Sequence, residues 1–175
     1  MPHVARSLRI PCAATALLVA GMAVAGAQEW KKMSYDTDRF EVEFLGDAVA
    51  TPSPVNEETR KLMHRAVEYM NDGGDQARLV VVGHYKYGVR FPEAVKAATD
   101  SLRCQRIVTD VALSIADGQG RDFKGTQCTS GLNAQARFVV RGNWFYQAIT
   151  TYMPKDGADA TATRFVQSFK LLPPN

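Results

Sequence analysis

Phe40, Val42 and Phe44 alternate with Arg39, Glu41 and Glu43. A period of two in aromatic and β-branched residues predicts a half-buried strand. Trp30 to Tyr35 precedes it, and Tyr35-Asp36-Thr37-Asp38 supplies a turn, so the two segments form a hairpin. Pro52 and Pro54 in "ATPSPVNEE" mark a loop, because each lacks an N–H and restricts the residue before it. Around the turn signal "NDGGD", strands are expected near 61–70 and 78–87. A turn centred on Gly73 places Met63, Val67, Tyr69, Leu79, Val81, Tyr85 and Tyr87 on one face, the expected core side.

"FPEAVKAATDSLRCQ" reads as a helix: Pro92 and Glu93 suit its first turn, and Val95, Ala98 and Leu102 line one side. A strand follows at about Val108 to Ala116, then a "DGQG" turn and a short strand at "RDFKG". Ala134–Val140 and Trp144–Tyr152 form a hairpin about Arg141-Gly142-Asn143. "DGADATATRFVQSFKLL" closes the chain as an amphipathic helix with Phe165, Val166 and Phe169 inward. The order ββ, ββ, α, ββ, ββ, α predicts an α+β sandwich, an antiparallel β-sheet built from hairpins and covered on one face by two α-helices.

The first 27 residues have a different pattern. Arg6 and Arg9 precede an apolar run, Ile10 to Val24, and Ala25-Gly26-Ala27 has the small-x-small form of a cleavage site. This predicts a signal peptide at 1–27 and one domain at 28–175, periplasmic or secreted, with no membrane span after cleavage. Removing Arg6 and Arg9 from the 21 Lys and Arg, against 18 Asp and Glu, leaves a net charge of +1. Such a balance gives no reason to expect nucleic acid. In an oxidising compartment Cys104 and Cys128 are expected to form a disulfide between helix and sheet. The absence of a CxxC motif argues against redox chemistry.

Several side chains are candidates for chemistry. His64 and His84 fall on neighbouring strands and could bind a metal, with Glu68 as a third ligand, against the simpler reading of two unrelated histidines. Gly118, Gly120, Arg121 and Lys124 in "GQGRDFKG" could cradle an anion, or form only a hairpin turn. Tyr85, Tyr87, Trp144 and Tyr146 could form an interaction surface, or pack in the core. Asp72 and Asp75 lack the spacing of a calcium loop, and Ser130 lies in no G-x-S-x-G elbow. No residue is therefore assigned a catalytic role and no cofactor is expected.

Taken in order, an opening "EW…Y", "FEVEF" followed by prolines, "GQGRDF", "RFVVRGNWFYQAIT" and "RFVQSFKLL" resemble the small secreted bacterial domains of PsbP-like fold. That fold is named for an extrinsic photosystem subunit and includes the Ran-binding Mog proteins. The resemblance spans most of residues 29–172. It implies a PsbP-like sandwich that binds or assembles other proteins and is not an enzyme. It brings no cofactor, since the residues that photosystem subunits use for one have no match. The expected function is an exported accessory module that contacts an envelope protein or polymer. The alternatives are a periplasmic carrier of a small ligand or metal, and a hydrolase.

Overall fold

The structure, a computed structural model, describes residues 28–73, 75–115 and 117–173. The expected signal peptide lies outside the described residues. Among the described residues ten strands and three α-helices follow one another. Strands β1 (Trp30–Tyr35) and β2 (Phe40–Leu45) form the first hairpin, followed by β3 (Val49–Pro52) and a short helix α1 (Glu57–Lys61). Next come β4 (Met63–Asp72), β5 (Gln76–Tyr85) and helix α2 (Phe91–Leu102). The second half holds β6 (Arg106–Ile115), β7 (Gly118–Thr126), β8 (Asn133–Arg141), β9 (Trp144–Tyr152), helix α3 (Ala158–Ser168) and β10 (Lys170–Leu171).

The strands make two sheets. One is three-stranded in the order β1-β2-β10, the other seven-stranded in the order β3-β4-β5-β9-β8-β7-β6. All pairings are antiparallel. The core of the sandwich lies between the two sheets. Phe40, Val42 and Phe44 of β2 meet Val67, Tyr69, Val80, Val82, Val139 and Tyr146 of the large sheet, and Phe165 and Val166 of α3 close one side. On the other face of the large sheet, Phe91 and Val95 of α2 pack on Phe123, Ala136, Phe138, Val140 and Phe145. The two main helices therefore lie on opposite faces, which corrects the expectation that both cover one. The pattern of β8 shows why: Ala134, Gln135, Ala136, Phe138, Val139 and Val140 are all buried, so this strand is covered on both sides.

The β4–β5 register also differs from expectation. Val67 faces Val82 and Tyr69 faces Val80, and Asp72 pairs with Ala77 across a longer turn. Val80 and Val82 are fully buried, whereas Leu79 and Val81 are half-buried on the opposite face. Turn geometry sets register, and an odd shift moves every side chain of one strand to the other face. Asp38 sits in the β1–β2 turn, yet its side chain is wholly buried. Arg65 of β4 donates to it from Nε at 2.7 Å and Nη2 at 3.2 Å, and the Tyr69 hydroxyl donates as well. This network ties the small sheet to the large one.

Cys104 and Cys128 are bonded, with sulfurs 2.06 Å apart. Cys104 follows α2 and precedes β6, and Cys128 follows β7, so the bond closes the open end of the β6–β7 ribbon as well as joining helix to sheet. Backbone bonds brace the same place, from Gln105 N to Gln127 O at 3.2 Å and from Cys128 N to Leu132 O at 2.7 Å. Gly125 packs against the bridge: a Cβ there would lie 2.5 Å from Cys104 Sγ and 2.8 Å from its Cβ. Gly125→Ala is expected to cost about 1–3 kcal/mol through overpacking, read as a lowered denaturant midpoint at unchanged slope.

Candidate functional site

The two edges of the large sheet are unlike. At one edge, β3 has four residues and ends in Pro52, a short strand with an N–H removed. At the other, β6 has ten residues, "RIVTDVALSI", with no proline and no lysine. β-Branched residues dominate it, which suits extended backbone. Among the described residues its only sheet partner is β7. Nearly the whole strand is exposed, with Ile107 at 60%, Val108 at 49% and Val111 at 53%. A register shift between Ile107 and Thr109 marks a bulge near Val108, which leaves Thr109 to Ile115 as a regular run. Asp110 is neutralised by Arg121 of β7, which donates to both of its oxygens. The exposed run carries no unpaired charge and presents Val111, Leu113 and Ile115 on one face.

The glycine motif belongs to this ribbon and not to an anion cradle. Gly118 and Gly120 lie in strand β7, and the turn precedes them, at Asp117. A Cβ on Gly118 would strike the Val140 carbonyl, and one on Gly120 would come 2.5 Å from Ile115 Cδ1. Close neighbours, more than backbone conformation, require glycine at both. Arg121 is held by Asp110, and Lys124 reaches Asp159 of α3 at 2.7 Å. That contact, with the Tyr152 hydroxyl donating at 2.6 Å, holds the Asp159 carboxyl below its usual range.

His64 and His84 are brought together as expected, with ring centroids 5.0 Å apart. The means differ from the sequence argument. Arg65 is the residue opposite His84, and His64 is carried there by a bulge. Past that bulge the alternation changes phase, and Glu68 pairs with Val81 on the opposite face, where it accepts from Ser53 Oγ at 2.9 Å. Glu68 is thus no third ligand. Among the described residues no group of three or more His, Cys, Asp or Glu could hold a metal ion.

His84 instead stacks on Trp144, with centroids 4.1 Å apart and planes 3° from parallel, and Trp144 stacks in turn towards Tyr146. Of the four aromatics considered for an interaction surface, Tyr87 alone is fully exposed, at 71%. Tyr85 packs beside the α2 core and Trp144 is half-buried. Tyr146 is completely buried, and burial pushes its pKa up to about 12. These four do not make a common surface.

Burial, then the neighbouring His64 and Arg39, hold the His84 pKa below 6.5, with Asp38 opposing. A histidine that protonates less readily in the folded state than in the unfolded one favours unfolding as acid is added. Its contribution is fully present above about pH 6.5 and is lost as pH falls through the lowered folded value. The denaturant midpoint should therefore decline below that pH, and His84→Phe should flatten the decline. An unchanged profile in the variant would remove His84 as its cause.

Sequence reasoning passed over three further positions. Asp38 was read only as a turn residue. Arg78 is 1% exposed, donating to Asn71 Oδ1 and Gln76 Oε1 with its guanidinium over the Trp30 ring. Arg141, read as part of a turn, ends β8 and donates to the Leu172 carbonyl at 2.7 Å. Spacing alone gives no signal for any of them.

No family model matches the chain, and no curated protein matches it in sequence. Among solved structures it is similar to the solution structure of cyanobacterial PsbP (CyanoP) from Synechocystis sp. PCC 6803. The identity is 10%, the TM-score is 0.53, and the match covers 87% of this chain and 98% of that one. Among the described residues no helix is long and apolar enough to cross a membrane. The bonded cysteines are compatible with export. A mixed structure of antiparallel sheets with helices, rich in sheet and matched over almost its whole length, makes this a chain of PsbP-like fold.

Proposed function

We propose that the protein is an exported, non-enzymatic accessory module that docks an extended segment of an envelope protein on the β6 edge. The observation that carries the proposal is the edge itself: a long strand with one sheet partner, exposed side chains and no lysine or proline to blunt it. Proteins commonly protect such edges, because their free N–H and C=O groups are a template for another strand. Strand addition uses those groups for affinity and alternate side chains for specificity. Here Val111, Leu113 and Ile115 would supply the apolar side of the contact, and the covered charge of Asp110 the other. The disulfide at the base of the ribbon restrains β6 before any partner arrives, which lowers the ordering cost of binding.

Val111→Lys places a charge at the centre of the exposed run without touching the core. In extracts of the native envelope, the parent protein is expected to elute in a complex larger than its own single chain, and the variant as free protein. Elution of both as free protein, or of both in the same complex, would count against docking at β6.

A further inference from the structure

A cleft of about 460 Å³ lies on the sandwich side of the β6–β8 strands, a size within the ordinary range of ligand sites. Leu113, Ile115 and Val139 form its floor, and Phe169, Leu171 and Leu172 of the C-terminal segment form its wall. Three cations line it as well: Arg137, Arg141 and Lys170. Asp122 holds Arg137 in a two-point contact at 2.8 Å each. Neither Arg141 nor Lys170 has a carboxylate within ion-pair distance among the described residues. The carboxylate that lines the cleft, Asp117, is an exposed residue of the β6–β7 turn.

Arg141 is also short of acceptors. One amino group, Nη1, donates to the Leu172 carbonyl, while Nη2 is buried without a hydrogen-bond partner. The Tyr146 hydroxyl, buried and without a partner at ordinary hydrogen-bond geometry, lies beside Arg141, whose charge and side-chain contact both act on it. A guanidinium at the edge of an apolar cleft, with no carboxylate in ion-pair distance among the described residues, favours an anion, and the fork of Arg suits a carboxylate. The apolar floor and wall favour a hydrocarbon body behind that head group.

We infer that this cleft is a binding site for an amphipathic monocarboxylate of the fatty-acid type, its head group on Arg141 and Lys170 and its tail along Leu113, Ile115, Val139 and Phe169. Strand addition at β6 is not required for it. The site also gives the glycine motif a role. Because Gly120 has no side chain, Ile115 and Leu113 can lie across β7 and complete the floor.

The test is calorimetric titration of the purified protein with decanoate below its micellar range, beside decanol and decyltrimethylammonium. Decanoate should bind saturably at one site, with decanol at least about tenfold weaker, the effect of losing one charge-assisted contact. Decyltrimethylammonium should not bind. Arg141→Gln and Lys170→Glu should each weaken decanoate at least about fivefold, whereas Lys86→Glu, on an exposed turn outside the cleft, should not. Lys170 is exposed, so its variant keeps the test valid even if Arg141→Gln folds poorly. Absence of saturable binding, equal binding of decanoate and decanol, or a Lys170→Glu protein that binds decanoate like the parent would overturn the assignment.

Discussion

A Cys104→Ser variant is expected to melt about 10 °C below the parent protein. The bond spans a sequence separation of 24. Closing a loop of that size in the unfolded chain is worth roughly 3–4 kcal/mol on the entropy model. For a domain of this length each kcal/mol moves the midpoint by a few degrees. The local consequence should be sharper than the global one. β6 is joined to the protein through its ladder with β7 and through the bridge at its base. Backbone amides of β6 should therefore exchange with solvent faster in the variant, while those of β5 and β9, in the middle of the large sheet, follow global stability. An unchanged melting temperature, checked by calorimetry under non-reducing conditions, would contradict the structural role assigned to the bridge.

Asp38→Ala should cost roughly 2–4 kcal/mol, towards the lower side of what breaking a buried pair costs. The discount has a physical reason. The Arg65 side chain is 42% exposed and can turn to water once its partner is gone. Tyr69 cannot, since it is 5% exposed and its hydroxyl would lose its acceptor. Burial, then the bond to Asp38, pushes the Tyr69 pKa up to about 12, so the hydroxyl remains a donor at any ordinary pH. Tyr69 also packs against Tyr35 and Phe40, so the loss should loosen the contact between the sheets. A cycle of Asp38→Ala, Arg65→Ala and the double variant, followed by denaturant unfolding, should show coupling of about 1 kcal/mol or more. Additive losses would mean that the ion pair contributes nothing beyond its separate side chains.

Much of the fold was legible because its signals are local. β2 alternates cleanly, α2 carries Pro92 and Glu93 in its first turn, and the strands about Gly142 are joined by the shortest of turns. Elements defined by their partners were not. β3 is a strand because it lies beside β4, in spite of its proline, and the two residues of β10 are a strand because they lie beside Phe40 and Glu41 at the start of β2. The β4–β5 register turned on a bulge at His64 and a longer loop, neither of which a hydrophobic pattern reveals. Of the candidate site residues, the cysteines and the histidine pair were found by type and spacing. Asp38 and Arg141 were hidden because a charge in a turn ordinarily reads as a solvated one. The β6 edge was hidden for another reason: "RIVTDVALSI" has the composition of an interior strand, and only the sheet order shows that no further strand among the described residues pairs with it.

The most direct measurement is site-specific photo-cross-linking of the protein in its native cell, from a photoreactive residue placed at 111 on β6, with a control at Lys96 on the exposed side of α2. Docking on the β6 edge predicts a discrete higher-mass adduct from position 111 and none from position 96. An adduct of equal yield from both, or no adduct from position 111, would contradict the β6 edge as the working surface of this protein.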